Sequence, residues 1–186
     1  MSRINMGGKP LSYPQPVLII ATYDENGNPD AMNAAWGGIS DSNEITMCLS
    51  AEHKTVKNFL QSGAFTVSMA DASHAGECDY LGLASGNDVE NKLEKIGFTT
   101  TKSSCVNAPV INELAVCLEC KLRSYDPESC RTVGEIINVS VDESAMTDGK
   151  VDPEKVRPLC FDPFNMAYNV IGEKVADAFK SGKAFL

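Results

Sequence analysis

Positive charge is scarce in this sequence. Sixteen Lys and Arg face twenty-five Asp and Glu, with only two histidines, and the formal net charge is −9. A surface this acidic argues against a nucleic acid or an anionic membrane as the main partner, because both carry negative charge themselves. An anionic ligand would therefore need a local cationic pocket.

Long apolar runs are also lacking. None approaches the roughly twenty residues of a membrane span, and no charged-then-apolar leader is present. We therefore expect no membrane contact and a cytoplasmic location. The 186 residues, 43% of them hydrophobic, suit a single domain over 1–186 with a substantial core.

Two nucleotide-binding signatures are missing: the G-x-G-x-x-G turn and the G-x-x-x-x-G-K-[ST] loop. The seven cysteines are odd in number and scattered, which favours reduced thiols over a disulfide framework. The one C-x-x-C, from Cys117 to Cys120, lies in a segment of alternating polarity that predicts a strand. Residues three apart on a strand point to opposite faces, so we expect neither a metal site nor a disulfide there.

Alternating and continuous apolar segments predict a mainly β protein. The run 17–22, the turn 24–29 and the segment 30–36 indicate a hairpin. Further strands are predicted at 45–49, 64–69, 114–125 and 132–141. Without regular strand–helix alternation, this pattern favours a closed or split antiparallel barrel with α-helical insertions.

The remaining segments predict helices and connections. A short helix follows residue 55 and stops at Gly63, and a capping box at Asn87 and Glu90 predicts a second helix. A terminal helix is expected over 171–186, with Ile171, Val175, Ala178 and Phe179 on one side. Residues 1–16, rich in Pro and Gly, predict an extended N-terminal arm, and 146–158 a loop.

A polar loop opens the first helix. It contains Ser50, Ala51, His53, Lys54 and Thr55. A helix N-terminus presents unpaired N–H groups and the positive end of a dipole, so such a loop is suited to a phosphate. The alternative is an ordinary helix cap beside a surface lysine.

A series of motifs, taken in order, carries a family resemblance. It comprises 17–22, 26–36, Lys54-Thr55-x-x-Asn58, 80–82, 85–86 with Lys92, 108–109, 118–120, 134–136, 158–159 and Tyr168-x-x-x-Gly172. This sequence resembles the flavin reductase-like, FMN-binding split-barrel family, in its flavoredoxin-like branch. The resemblance implies an antiparallel, Greek-key-like split barrel that forms a homodimer and binds FMN.

The resemblance also implies which residues hold the cofactor. Asn33, Ala34, Ala35 and Trp36 would lie along the ribityl chain and ring, and the loop from Ser50 to Thr55 would take the phosphate. An amide suits polyol hydroxyls, and small side chains let backbone approach a flat ring. The flavin carries the redox chemistry itself, so no catalytic side chain is predicted.

The resemblance implies a cofactor contact for two more residues, and each has an alternative role. Lys92 would place a cation near the flavin's pyrimidine edge, or it is a solvated helical lysine. Tyr168 would line the other side of the ring, or it is a core aromatic at a strand end. One departure stands out, because relatives often have a histidine where this sequence reads Cys130-Arg131.

Three functions remain open from the sequence. The first is an FMN oxidoreductase that takes electrons from NADH, NADPH or a protein donor. The second is an FMN electron carrier that docks a redox protein and turns over no small molecule. The third is a thiol protein in which flavin plays no part. The sequence does not identify the donor or the acceptor.

Overall fold

The computed structural model describes residues 2–186. Short strands dominate it: β1 (Gln15–Pro16), β2 (Leu18–Tyr23), β3 (Pro29–Ala34), β4 (Gly37–Asp41), β5 (Glu44–Cys48), β6 (Ala64–Met69), β7 (Thr100–Lys102), β8 (Pro109–Ile111), β9 (Val116–Asp126), β10 (Arg131–Val141), β11 (Met146–Thr147), β12 (Lys150–Val151), β13 (Leu159–Asp162) and β14 (Ala167–Val170). The α-helices are α1 (Lys54–Ser62), α2 (Ala75–Leu83), α3 (Lys92–Lys95) and α4 (Pro153–Val156).

Seven strands form the main sheet, in the order β3-β2-β6-β9-β10-β5-β4. Each neighbouring pair is antiparallel, and the sheet curls into a half-barrel. The predicted hairpin is present as β2 and β3, with the Asp24 carboxylate accepting turn N–H groups from Asn26 and Asn28. The predicted split-barrel fold is confirmed.

Strand β2 is buried on both faces, which explains its continuous apolar sequence. Ile20 faces a core that includes Val56 and Phe59 of α1. Ile19 faces a second core that includes Leu81 of α2. The two helices therefore pack on opposite sides of the sheet.

The predicted C-terminal helix is wrong. Residues 171–186 contain a 3₁₀ turn at Ser181–Phe185 but no α-helix, and every one of them is exposed. Their apolar stripe contacts no core of the same chain. An isolated helix of this length is marginal in water without a surface to pack on.

At the N-terminal end, residues 2–14 contain no helix, and the strand that follows them, β1, pairs with β13.

The capping box at Asn87 and Glu90 is also wrong. Helix α3 starts only at Lys92, because Asn91 adopts a left-handed φ of 52° and interrupts any helix before it. The Asn87 side chain instead donates to the carbonyl of Glu52 at 3.0 Å and accepts from Lys57 Nζ at 2.9 Å. It thereby ties the loop before α3 to the start of α1.

Candidate functional site

A pocket of about 310 Å³ opens where β3 ends, between the loop before α1, helix α2 and strand β14. It brings together six predicted site residues: Asn33, Ala34, Ala35, Trp36, His53 and Tyr168. Its other lining residues were not predicted: Met32, Cys48, Leu49, Asp79, Gly82 and Leu83. The pocket is thus built from four segments that are distant in sequence.

The Asn33 side chain is held against helix α2. Its Nδ2 donates to the carbonyl of Cys78 at 2.9 Å. A Cβ on Gly82 would lie 3.3 Å from the Asn33 Cβ, tighter than an ordinary contact. The absent side chain at Gly82 therefore lets α2 approach β3 closely, and the helix orients the amide at the pocket wall.

Trp36 forms the rim of the pocket. Its backbone carbonyl accepts the N–H of Cys48 at 2.8 Å, which fixes the chain between β3 and β4. The side chain is 44% exposed, although tryptophan is mostly buried in folded proteins. An indole held in this way at a pocket mouth can contact a flat ligand.

Tyr168 reaches the pocket from β14. Its O–H donates to Asp79 Oδ1 at 2.7 Å. Burial, together with the hydrogen bond to the Asp79 carboxylate and its charge, raises the pKa of Tyr168 to about 12. The phenol therefore stays protonated at neutral pH. Sequence reasoning missed Asp79, because only the packing of β14 beside α2 brings the two residues together.

The start of α1 has no side-chain cap. His53 is the N-cap residue but makes no capping hydrogen bond, and the first turn contains no acidic residue. In residues 2–186 no acceptor is found for the backbone N–H groups of Lys54, Thr55 and Val56. These donors and the helix dipole favour an anion next to the pocket.

Lys54 extends away from the pocket. Its Nζ lies 3.6 Å from Asp24 Oδ2, in the turn between β2 and β3, and the side chain is 30% exposed. Ser50 and Ala51 lie in the turn that precedes α1, outside the lining of the pocket. The structure therefore separates these three predicted residues from the segment 33–36 but keeps them in the adjacent loop and the first turn of α1.

Lys92 and Thr55 belong to a buried network around Asp30. Lys92 Nζ lies 3.2 Å from Asp30 Oδ1 and donates to the carbonyls of Ala31 at 2.6 Å and Ala84 at 3.0 Å. The Thr55 hydroxyl donates to Asp30 Oδ2 at 2.8 Å.

Of the two roles expected of Lys92, the structure excludes one. The side chain is 2% exposed, so it is not a solvated lysine. Its ammonium group donates to two backbone carbonyls and is paired with a carboxylate, all inside the protein. Lys92 is a buried ion-pair partner of Asp30, and its expected contact with a cofactor stays a prediction. Thr55 has only its backbone amide left to donate to a ligand.

Known proteins share both this fold and this sequence pattern. The sequence profile described as flavin reductase like domain matches residues 11–166. This chain belongs to the flavin reductase-like family.

Solved flavoredoxins are similar to this flavin reductase-like protein along its whole length. Flavoredoxin of Desulfovibrio vulgaris (Miyazaki F) is 34% identical, with 98% of this chain and 100% of that chain covered and a TM-score of 0.93. Flavoredoxin from Methanosarcina acetivorans is 25% identical, with both chains covered at 100% and a TM-score of 0.88. An uncharacterised protein of Aquifex aeolicus (strain VF5) is 27% identical, covering 80% of this chain and 81% of that protein.

The cysteines of this flavin reductase-like protein are unpaired. Cys120 packs in the core on the α1 side of the sheet, whereas Cys117 does not, as expected for strand β9. Burial raises the pKa of the Cys120 thiol to about 12, so it stays protonated and unreactive. Residues 2–186 place no three His, Cys, Asp or Glu side chains where they could hold a metal ion.

The departure at Cys130 and Arg131 lies beside the pocket. Cys130 has a left-handed φ of 59° at the end of the β9–β10 turn, and its carbonyl accepts the N–H of Leu49 at 2.8 Å. Arg131 pairs in register with Cys48, a pocket residue. These two residues therefore lie next to the lining of the site.

No helix in residues 2–186 has the length and apolar character to cross a membrane.

Proposed function

We propose that this protein binds FMN at the pocket beside residues 33–36 and transfers electrons through it. The observation that carries the proposal is the position of this pocket next to the uncapped start of α1. One end of the site suits a flat ring and the other suits an anion, and FMN has both. When bound, FMN supplies hydride and electron chemistry that protein side chains lack.

The pocket residues fit the ring end of such a cofactor. A volume of about 310 Å³ is at the lower end of the range for small-molecule sites. Ala34 and Ala35 are small and half-buried, so backbone there can approach a planar group. Asn33 is oriented by α2, and the protonated phenol of Tyr168 offers a fixed polar neighbour. Trp36 would cover the ring from the rim.

The start of α1 fits the phosphate end. The free N–H groups of Lys54, Thr55 and Val56 point out of the helix where no acidic side chain competes. Ser50 and Ala51 supply a hydroxyl and a further backbone amide from the same loop, and His53 adds a polar side chain. The Lys54 ammonium, which lies beside Asp24, adds positive charge nearby. The overall charge of −9 makes such a local donor group necessary for an anion.

His53→Asp tests the phosphate site. The new carboxylate would cap the free N–H groups and repel a phosphate, so we expect the Kd for FMN to rise at least about tenfold. Riboflavin lacks the phosphate, and its Kd should change less than about twofold. Flavin fluorescence quenching by the flavin-free protein measures both constants.

His53→Asn is the matched control, since it offers a cap without a charge. It should weaken FMN clearly less than His53→Asp does. Equal losses of FMN and riboflavin in His53→Asp would place the phosphate elsewhere. Failure of the wild-type protein to bind either flavin at micromolar concentration would overturn the flavin proposal altogether.

The leading form of the proposal is an oxidoreductase of the flavin reductase type, with NADH, NADPH or a protein as donor. The alternative is an electron carrier that docks a redox protein, which the 34% identity with a flavoredoxin favours. Mixing the FMN-loaded protein anaerobically with NADH or NADPH separates the two. Bleaching of the flavin absorbance supports the enzyme, and its absence with both nucleotides supports the carrier.

The proposal includes a homodimer in the cytoplasm. Seven unpaired cysteines suit a reducing compartment. Sedimentation of the purified protein tests the dimer directly, and fractionation of the source cells tests the location.

A further inference from the structure

Two cysteines lie together at the edge of the pocket. Cys48 is the last residue of β5, lines the pocket and is exposed. Cys130 is partly exposed and is the last residue of the turn between β9 and β10. Three other cysteines, Cys78, Cys117 and Cys120, are closed off from solvent, whereas these two are accessible to a small molecule. The flavin site proposed above gives neither of them a role.

The sheet places the two cysteine backbones side by side. Arg131 pairs in register with Cys48 across the antiparallel strands β10 and β5, and the Leu49 N–H donates to the Cys130 carbonyl at 2.8 Å. Cys48 and Cys130 are therefore diagonal neighbours. With about 5 Å between paired strands and about 3.4 Å along a strand, their Cα atoms are on the order of 6 Å apart. Disulfides bridge Cα distances of about 4.4–6.8 Å, so this spacing is suitable.

The Cys48 side chain points toward the turn that contains Cys130. Its Sγ lies 3.7 Å from the carbonyl oxygen of Ser129, the residue bonded to Cys130. In a regular ladder, diagonal neighbours point to opposite faces of the sheet. Cys130 precedes β10 and has a left-handed φ of 59°, which removes its side chain from that alternation.

Tyr125 lies near both thiols. Its O–H donates to the Leu49 carbonyl at 3.0 Å. Burial raises the pKa of Tyr125, and negative charge on Cys130 and Cys48 raises it further, so both sulfurs lie within electrostatic range of one hydroxyl. The Cys130 Sγ lies 4.0 Å from the Pro127 carbonyl, on its own turn. Rotation about the Cα–Cβ bond of Cys130 then brings its sulfur toward Cys48.

We propose that Cys48 and Cys130 form a reversible disulfide, which makes this edge of the pocket a redox-modification site. The oxidant is a low-molecular-weight disulfide of the glutathione class. The Cys48 thiolate attacks one sulfur of this disulfide and releases one small thiolate. The Cys130 thiolate then attacks the Cys48 sulfur of the mixed disulfide and releases the second. Two protein thiols are oxidised to one disulfide, one small disulfide is reduced to two thiols, and the two protons pass to the released thiolates.

The disulfide would change the wall of the pocket. Cys48 shares this wall with Trp36, whose carbonyl accepts the Cys48 N–H at 2.8 Å. Bonding to Cys130 draws the Cys48 sulfur toward the turn, so the oxidised and reduced proteins offer different walls to a ligand. This effect on a ligand rests on the proposed flavin site, whereas the disulfide itself does not. Disulfides in a reducing compartment are usually transient and redox-sensing or catalytic, which suits a reversible pair.

The test treats the reduced, flavin-free full chain with an excess of oxidised glutathione, alkylates the remaining thiols and digests the protein with trypsin. A disulfide between Cys48 and Cys130 should join the peptides 4–54 and 124–131, and dithiothreitol should separate them. Electrophoresis without reductant should leave the chain at 20.0 kDa, because both cysteines belong to one copy. Cys105→Ser, which removes an exposed thiol in another loop, should retain the link.

Cys130→Ser removes the thiol that completes the exchange. This variant should lose the link and retain glutathione on Cys48 as the mixed disulfide. Absence of the link in the wild type, or a link only between two chains, would overturn the proposal.

Fluorescence quenching then measures FMN binding to the oxidised and reduced wild type. The two Kd values should differ at least about threefold in the wild type. Equal Kd values in a sample that carries the link would overturn the effect on the pocket. A link in a protein that binds no flavin would instead support the disulfide and refute the proposed function.

Discussion

Replacing Lys92 with Met is expected to destabilise the protein strongly. Lys92 and Asp30 are 2% and 7% exposed, and their ion pair at 3.2 Å is almost closed off from water. Methionine preserves most of the side-chain volume but removes the charge, which leaves the Asp30 carboxylate buried with only the Thr55 hydroxyl as a side-chain donor. Breaking a buried pair on one side costs about 3–5 kcal/mol.

The same contacts determine the stability expected for two further variants. Thr55→Val removes one hydrogen bond to a charged acceptor, which costs about 1.5–3 kcal/mol. The double variant Asp30→Asn/Lys92→Met removes both charges and should lose less than Lys92→Met alone, since no uncompensated charge remains. With the single variant Asp30→Asn, these changes complete a double-mutant cycle that isolates the coupling between the two side chains.

Urea unfolding of the flavin-free protein, followed by circular dichroism, measures these free energies. For a chain of this size each kcal/mol shifts Tm by roughly 2–4 °C, so Lys92→Met should lower Tm by roughly 6–20 °C. Lys95→Met is the matched control, because Lys95 is an exposed lysine on the same short helix. It should change stability by less than about 0.5 kcal/mol.

Two results would refute this reasoning. In the first, Lys92→Met matches Lys95→Met in stability, and the buried ion pair then contributes nothing. In the second case FMN affinity falls at least about tenfold while the unfolding free energy stays at the wild-type value. Lys92 would then act as a ligand contact, and its structural assignment would be wrong.

Two further predictions concern strands β9 and β10. Burial raises the pKa of Glu119, but hydrogen bonds from Ser103 and Asn138 outweigh this, and the folded pKa is lowered. The resulting stabilisation is complete above the unfolded-state pKa of about 4.3 and is lost as pH falls through the pKa of the folded state. The urea midpoints at pH 6 and pH 3 should therefore differ more in the wild type than in Glu119→Gln. Gly134→Ala places a Cβ within clashing distance of the Phe65 ring and should cost about 1–3 kcal/mol in urea unfolding. Gly38→Ala, which meets no atom within 4 Å, should be close to neutral, and equal effects would contradict the steric argument.

Local patterns in the sequence were sufficient to predict the helix and strands around the site. The predicted strand 64–69 is β6 as observed, and Gly63 ends α1 with a left-handed φ of 71°. Alternation and turn chemistry depend on neighbours a few residues away, so they can be read directly. The reliance on near neighbours also explains why the helices predicted at 87–96 and 171–186 are wrong, because a periodic apolar stripe alone does not make a helix.

The sequence by itself determined the mainly β fold, the hairpin before Trp36 and the loop that opens α1. Only the tertiary structure decided which side chains face the pocket. Lys92 meets the Ala31 carbonyl across 61 positions of the chain, and Tyr168 meets Asp79 across 89. Propensity and periodicity contain no information about such partners, because a buried polar group satisfies its hydrogen bonds with whichever atoms the packed sheet and helices bring within reach.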